Sequence, residues 1–137
     1  ELLASAASVQ RFRRPEPRLE AGQRLAPLVT AMMDVSDGLL LDATRLATAS
    51  GVTIALDSAA IPIAADLTTA ALRDRALRWG DDYELLFTLP QRCKIGIDAT
   101  RIGNVLPAGS HPLLFDGQPL PAGEALGWQH NRVNGSV

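Results

Sequence analysis

The chain has 137 residues, 47% of them hydrophobic, with thirteen basic side chains against fifteen acidic ones and a net charge of −2. That length suits one domain with a single core, and the charge balance argues against a basic stripe for nucleic acid. No apolar run approaches the roughly 18 residues that cross a bilayer, so no membrane span is expected.

The single Cys93 excludes an internal disulfide and points to a reducing cytoplasm. No secretory signal opens the chain, and it starts at Glu1 without a methionine, so a piece of a longer cytoplasmic protein is expected. Lys94 is the lone lysine, the other bases being arginines, which reads as genome composition rather than chemistry.

In chain order, residues 2–12 read as the end of a helix, broken by the two prolines of FRRPEPR at 12–18. A short helical pattern follows through Leu19, Leu25 and Leu28, then a strand at about 29–35. From Leu39 the apolar residues fall at Leu40, Ala43, Leu46 and Ala47, the stripe of an amphipathic helix closed after Ser50 by Gly51. VTIALD (52–57) reads as a strand, DLTTAALRDRALRW (66–79) as a helix and YELLFTL (83–89) as a strand. TRIGNVL (100–106) is a weaker strand, and HPLLFDGQPLP (111–121) a hairpin turning at Asp116-Gly117. Strands alternating with helices predict an α+β fold of the α/β-sandwich kind, a mixed β-sheet layered with helices, as a single domain over 1–137.

Two acidic knots interrupt this pattern. The first lies in AMMDVSDGLLLDA (31–43), where Asp34, Ser36, Asp37 and Gly38 separate two apolar runs. If a strand ends at Asp34 and a helix starts near Ser36 or Asp37, the junction offers free backbone N–H groups and the positive end of a helix dipole to a phosphate. Two nearby carboxylates suit Mg²⁺, which takes one or two protein carboxylates together with phosphate oxygens. The plainer alternative is that Ser36 or Asp37 caps the helix. The second knot is WGDDYELLF (79–87), where Gly80, Asp81 and Asp82 form a turn between helix and strand. Such a turn is common. Both knots are expected along one edge of the sheet, where folds of this kind place ligands.

The strings RRPEPR, AMMDVSDGLLLDATRLATASGV, ALRWGDDYELLFTLP, TRIGNV and the terminal GWQHN occur in an order that resembles the C-terminal half of the bacterial thiamine-monophosphate kinase family. That family belongs to the superfamily of aminoimidazole ribonucleotide synthetase and selenophosphate synthetase. The resemblance runs from about Phe12 to His130, and the combination of DVSDGL, GDDYELLFT and a final G-W-x-H is its specific part. It implies that Asp34 and Asp37 bind Mg²⁺, that Ser36 contacts ATP, and that Asp81 and Trp128 contact thiamine monophosphate. It also implies transfer of the ATP γ-phosphoryl group onto the phosphate of thiamine monophosphate, giving thiamine diphosphate. Such a transfer chiefly needs positioning and charge neutralisation, for which acids and an aromatic platform are suited. The N-terminal half of the family, absent from this chain, would supply most Mg²⁺ ligands, much of the ATP site and a homodimer interface. The chain alone is therefore expected to be inactive.

Two departures from the family stand out besides the absent half. Trp79 replaces a second glycine before Gly80, which predicts a wider or less free turn. Only eleven residues separate Pro90 from Ile102, so a short loop is expected where the family fits a helix. Two rival functions are weighed. One is a related superfamily member using ATP on a different small substrate. The other is an aspartate-nucleophile phosphohydrolase, which needs two acids two residues apart, whereas Asp34 and Asp37 are three apart and no lysine lies between the knots. Arg11, Arg13, Arg14 and Arg18 read as a solvated basic loop, His111 as a turn residue and Cys93 as incidental; His130 receives no role.

Overall fold

The apolar stripe of residues 39–50 forms a helix that packs against three strands and a second helix. The computed structural model describes residue 10 and residues 13–128. The helix expected at 2–12 (all but Gln10), Arg11 and His130 lie outside the described residues.

The elements are α1 (Leu19–Leu25), β1 (Ala31–Asp34), α2 (Leu39–Ser50), β2 (Val52–Leu56), α3 (Ala70–Arg78), β3 (Leu85–Thr88), β4 (Gly103–Pro107), β5 (Leu113–Phe115) and β6 (Gln118–Pro119). The expected α+β class with a mixed sheet is borne out, but the strands divide into two sheets. One is the antiparallel pair β1–β3; the other has the order β4-β2-β5-β6, with β2 antiparallel to β4 and parallel to β5. The hairpin turns where the sequence places it, because Asp116 and Gly117 both take positive φ (51° and 78°), as a two-residue turn with the twist of its strands requires.

Helix α2 is covered on one side by β1, β2, β5 and α3. Leu40, Ala43 and Ala47 are fully buried, and the core continues through Ile54, Leu56, Leu77, Leu86 and Leu113. Each leucine in such a place contributes roughly 1.5–3 kcal/mol. The helix ends at Gly51 in the left-handed conformation (φ 64°), as the sequence predicts.

Two element starts differ from expectation, each for a local reason. Helix α3 begins at Ala70 rather than 66 because the Thr69 hydroxyl accepts the Leu72 N–H at 3.2 Å and fixes the start there. Strand β3 begins at Leu85 rather than 83 because Tyr83 has φ of 52°, outside the extended region. Trp79 has ordinary extended backbone (φ −82°, ψ 137°), so no glycine is required there. The 91–101 connection is a loop without a helix, as its length implies.

Candidate functional site

The register of β1 against β3 brings the two acidic knots together. Asp34 pairs with Leu85 at the end of the ladder, and the pairing then continues past both strands. Val35 N–H donates to the Glu84 carbonyl at 2.8 Å, Tyr83 N–H to the Val35 carbonyl at 3.0 Å, and Asp81 N–H to the Ser36 carbonyl at 2.9 Å. The third string joins them: Trp128 N–H donates to the Asp37 carbonyl at 2.8 Å. The one-edge expectation therefore holds in a stronger form, with three distant strings stitched backbone to backbone.

Glycines make this closeness possible. A Cβ on Gly80 would lie 2.2 Å from the Ser36 carbonyl oxygen, and one on Gly127 would lie 2.2 Å from that of Asp37. No side chain fits at either distance. Gly38 is the N-cap of α2 with φ of 111°, and no side chain caps the helix there. The capping reading of Ser36 or Asp37 is thereby overturned, since the chain reaches the helix through a conformation that only glycine adopts without strain.

The loop amides are satisfied from the other direction. Asp42, in the first turn of α2, is completely buried, and its Oδ2 accepts the N–H groups of Ser36 and Asp37, both at 2.9 Å. Its Oδ1 accepts from Arg45 Nη1 at 2.8 Å, and the same nitrogen donates to Asp37 Oδ2. These amides, expected to be free for a phosphate, are held by an internal carboxylate instead. The hydrogen bond to Asp37, ahead of that to Asp42, raises the already high pKa of Arg45. Asp42 and Arg45 were not singled out in the sequence. The available signal was position: Asp42 follows Leu39 by three residues and precedes Leu46 by four, which puts it on the buried stripe.

The second knot is arranged differently. Asp81 and Tyr83 both have positive φ (69° and 52°), and the Tyr83 hydroxyl donates to Asp81 Oδ1 at 3.0 Å. That bond raises the Tyr83 pKa. Left-handed conformations at two non-glycine residues in one turn are strain of the kind found at functional sites. Asp82 has exposed surface, yet crowding by protein around its carboxyl, then the charges of Glu84 and Asp81, push it up to about 6. Glu84 is bound by Arg18 through two hydrogen bonds (2.6 and 3.1 Å), so Arg18 is no mere member of a solvated loop.

Asp34 is exposed and opens into a groove of about 470 Å³ whose walls include Arg18, Gly22, Tyr83 and Leu85. Its carboxylate makes no hydrogen bond among the described residues. Ser36 and Asp37 are half-buried beside it in sequence. Trp128 is 64% exposed, Trp79 53% and Tyr83 39%, so three aromatic faces border the stitched strings, with Arg75 stacked on Trp79 at 5.2 Å.

As a place for Mg²⁺, the donor set has the right chemistry: carboxylate oxygens and no thiol or imidazole. It is partial, since no group of three metal-ligating side chains occurs among the described residues. No helix among them is long and apolar enough to cross a membrane. His111 sits in a turn, its carbonyl accepting the Thr53 hydroxyl at 2.8 Å.

Comparison with known proteins gives a consistent picture. Residues 4–92 match the family described as AIR synthase related protein, C-terminal domain. The chain is 35% identical over 131 residues to the thiamine-monophosphate kinase of Aquifex aeolicus (strain VF5), covering 90% of this chain and 41% of that protein. Among solved structures, AaThiL complexed with AMPPCP and TMP superposes with a TM-score of 0.78 at 36% identity, over 91% of this chain and 41% of that one. The thiamine-monophosphate kinase of Stenotrophomonas maltophilia K279a gives 0.74 at 35% identity, over 88% and 42%. The chain thus spans about two fifths of the length of the relatives it matches.

Proposed function

The chain belongs, through residues 4–92, to the family of AIR synthase related protein C-terminal domains, and we propose that it is the C-terminal domain of a cytoplasmic thiamine-monophosphate kinase. In this reading the whole protein transfers the γ-phosphoryl group of ATP to the phosphate of thiamine monophosphate, forming thiamine diphosphate. A preceding half supplies most metal ligands, much of the ATP site and the homodimer interface. The name borne by relatives about 35% identical supports the substrate, as does the complex of AaThiL with AMPPCP and TMP.

The observation that carries the reading is the junction of the three strings, in which Asp37, Asp81 and Trp128 meet through the Ser36 and Asp37 carbonyls. Asp34 and Asp37 would hold Mg²⁺, completed by donors from the preceding half and by phosphate oxygens. Bound there, Mg²⁺ supplies charge neutralisation for the transferring group. Asp34 lies exposed at the strand end, its carboxylate making no hydrogen bond among the described residues, and Asp37 is held in one orientation by Arg45. Ser36 lies between them in sequence and would contact ATP. Asp81, fixed by the Tyr83 hydroxyl, contacts the substrate. The exposed indole of Trp128 covers the cationic ring of thiamine, a contact worth roughly 0.5–2 kcal/mol.

The test uses the full-length protein that contains this chain, supplied with ATP, Mg²⁺ and thiamine monophosphate. Thiamine diphosphate is expected from the full protein, and none from residues 1–137 alone, which are expected to fold. Phosphorylation of another small acceptor with none of thiamine monophosphate would assign the chain to a different branch of the superfamily.

A further inference from the structure

We propose that Asp42, acting through Arg45, is the positioning residue for Asp37; the inference rests on Asp37 being a metal ligand. A carboxylate with no exposed surface is costly in a helix face otherwise lined by Leu40, Ala43 and Leu46. For packing alone an apolar side chain of similar size would serve as well or better. What Asp42 does that an apolar residue cannot is divide its two oxygens. Oδ2 takes the Ser36 and Asp37 amides, and Oδ1 takes Arg45. Arg45 then grips Asp37 Oδ2, so backbone and side chain of Asp37 are both referred to one buried group.

The charges make the same point. One guanidinium lies between two carboxylates, so the trio keeps a single negative charge. Asp42 is sealed from solvent, whereas Asp37 keeps 18% of its side chain exposed and its Oδ1 outside the grip of Arg45. The residual charge is therefore offered at Asp37, where a cation can reach it. Groups that orient a metal ligand in this way typically change metal affinity 10- to 100-fold when removed. The opposite role, Arg45 as a competitor for the metal's place, predicts tighter metal binding on its removal.

The experiment titrates Mn²⁺ onto the full-length protein in the presence of AMPPCP, following free Mn²⁺ by electron paramagnetic resonance. Asp42→Asn keeps an oxygen for the loop amides but turns an NH₂ toward Arg45, donor against donor. Arg45→Gln changes a half-exposed side chain and keeps an amide donor for Asp42 Oδ1. Both are expected to weaken Mn²⁺ binding about 10- to 100-fold, with Arg45→Gln melting as the parent does. Hydrogen exchange at the Ser36 and Asp37 amides should quicken in Asp42→Ala and stay slow in Arg45→Gln. Unchanged Mn²⁺ affinity in both variants, or tighter binding in Arg45→Gln, would overturn the proposal. So would a parent protein that binds no Mn²⁺. A parent that binds Mn²⁺ yet forms no thiamine diphosphate would remove only the substrate assignment and leave this test standing.

Discussion

Two acidic turns lie side by side in this molecule, 34–38 and 79–84, each with two aspartates and a glycine but with opposite arrangements of charge. The first carries its own cation: Arg45 binds Asp37, and the buried Asp42 ties down the amides. The second gathers Asp81, Asp82 and Glu84 with one arginine, Arg18, committed to Glu84, and pushes the Asp82 carboxyl up to about 6. The first turn is rigid by hydrogen bonding; the second is strained, with two non-glycine residues at positive φ. Acids at a turn are thus not one signal. Where the fold gives an acid a cation it fixes that acid's orientation, and where it crowds acids together it pushes one of them toward protonation.

The comparison can be broken most sharply at Asp37. In the full-length protein Asp37→Asn should lower thiamine diphosphate formation about 10²- to 10³-fold, measured at saturating Mg²⁺. Stability should hardly move, because the Arg45 pair is half-exposed and such pairs contribute about 0–1 kcal/mol. Near-normal turnover would reduce the first turn to architecture.

The second test separates the turns physically. Gly80→Ala forces a methyl to 2.2 Å from the Ser36 carbonyl oxygen, so the backbones must part. A loss of about 1–3 kcal/mol in denaturant unfolding is expected, together with a fall in turnover. Unchanged stability would mean that the stitched backbone is not tight in solution.

The third concerns the aromatic border. Trp128→Ala should raise KM for thiamine monophosphate about 2- to 30-fold, the kinetic equivalent of 0.5–2 kcal/mol, with Phe recovering much of it. The melting temperature should stay, because the indole is 64% exposed. A melting loss with KM intact would make it a packing residue.

The smallest effect sharpens the contrast in charge. A carboxyl with its folded pKa near 6, above the unfolded value of 3.8, binds protons better when folded. Its penalty is therefore full above pH 6, shrinks as pH falls, and vanishes below about 3.8. Asp82→Asn should melt slightly above the parent at pH 7.5 and together with it near pH 3.5. Equal melting at both would show that the second turn is relaxed.

Much of this was legible because it is local. The 3.6-residue stripe from Leu39 to Ala47, Gly51 as its stop and the Asp116-Gly117 turn are each decided by neighbours in sequence. The division into two sheets was not, since strand partnership is settled by long-range packing that alternation does not encode. Asp34, Ser36, Asp37, Asp81 and Trp128 could be named from their strings, but their meeting depends on the β1–β3 register and on Gly80 and Gly127. Asp42 was hidden because an acid on a helix reads as solvent-facing until its helix is placed. Arg18 was hidden because its partner, Glu84, lies 66 residues away.

The hydrogen bond from Trp128 to the Asp37 carbonyl also sets a schedule. Its ends are ninety-one residues apart, so during synthesis at about 5–20 residues per second the first turn waits on the order of 5–20 s for its last partner. The hydrogen bonds of Asp42 to Ser36, Asp37 and Arg45 are near in sequence and do not wait for it. A nascent chain ending before Gly127 would lack this hydrogen bond, so the junction of the three strings cannot be completed until Trp128 has been made.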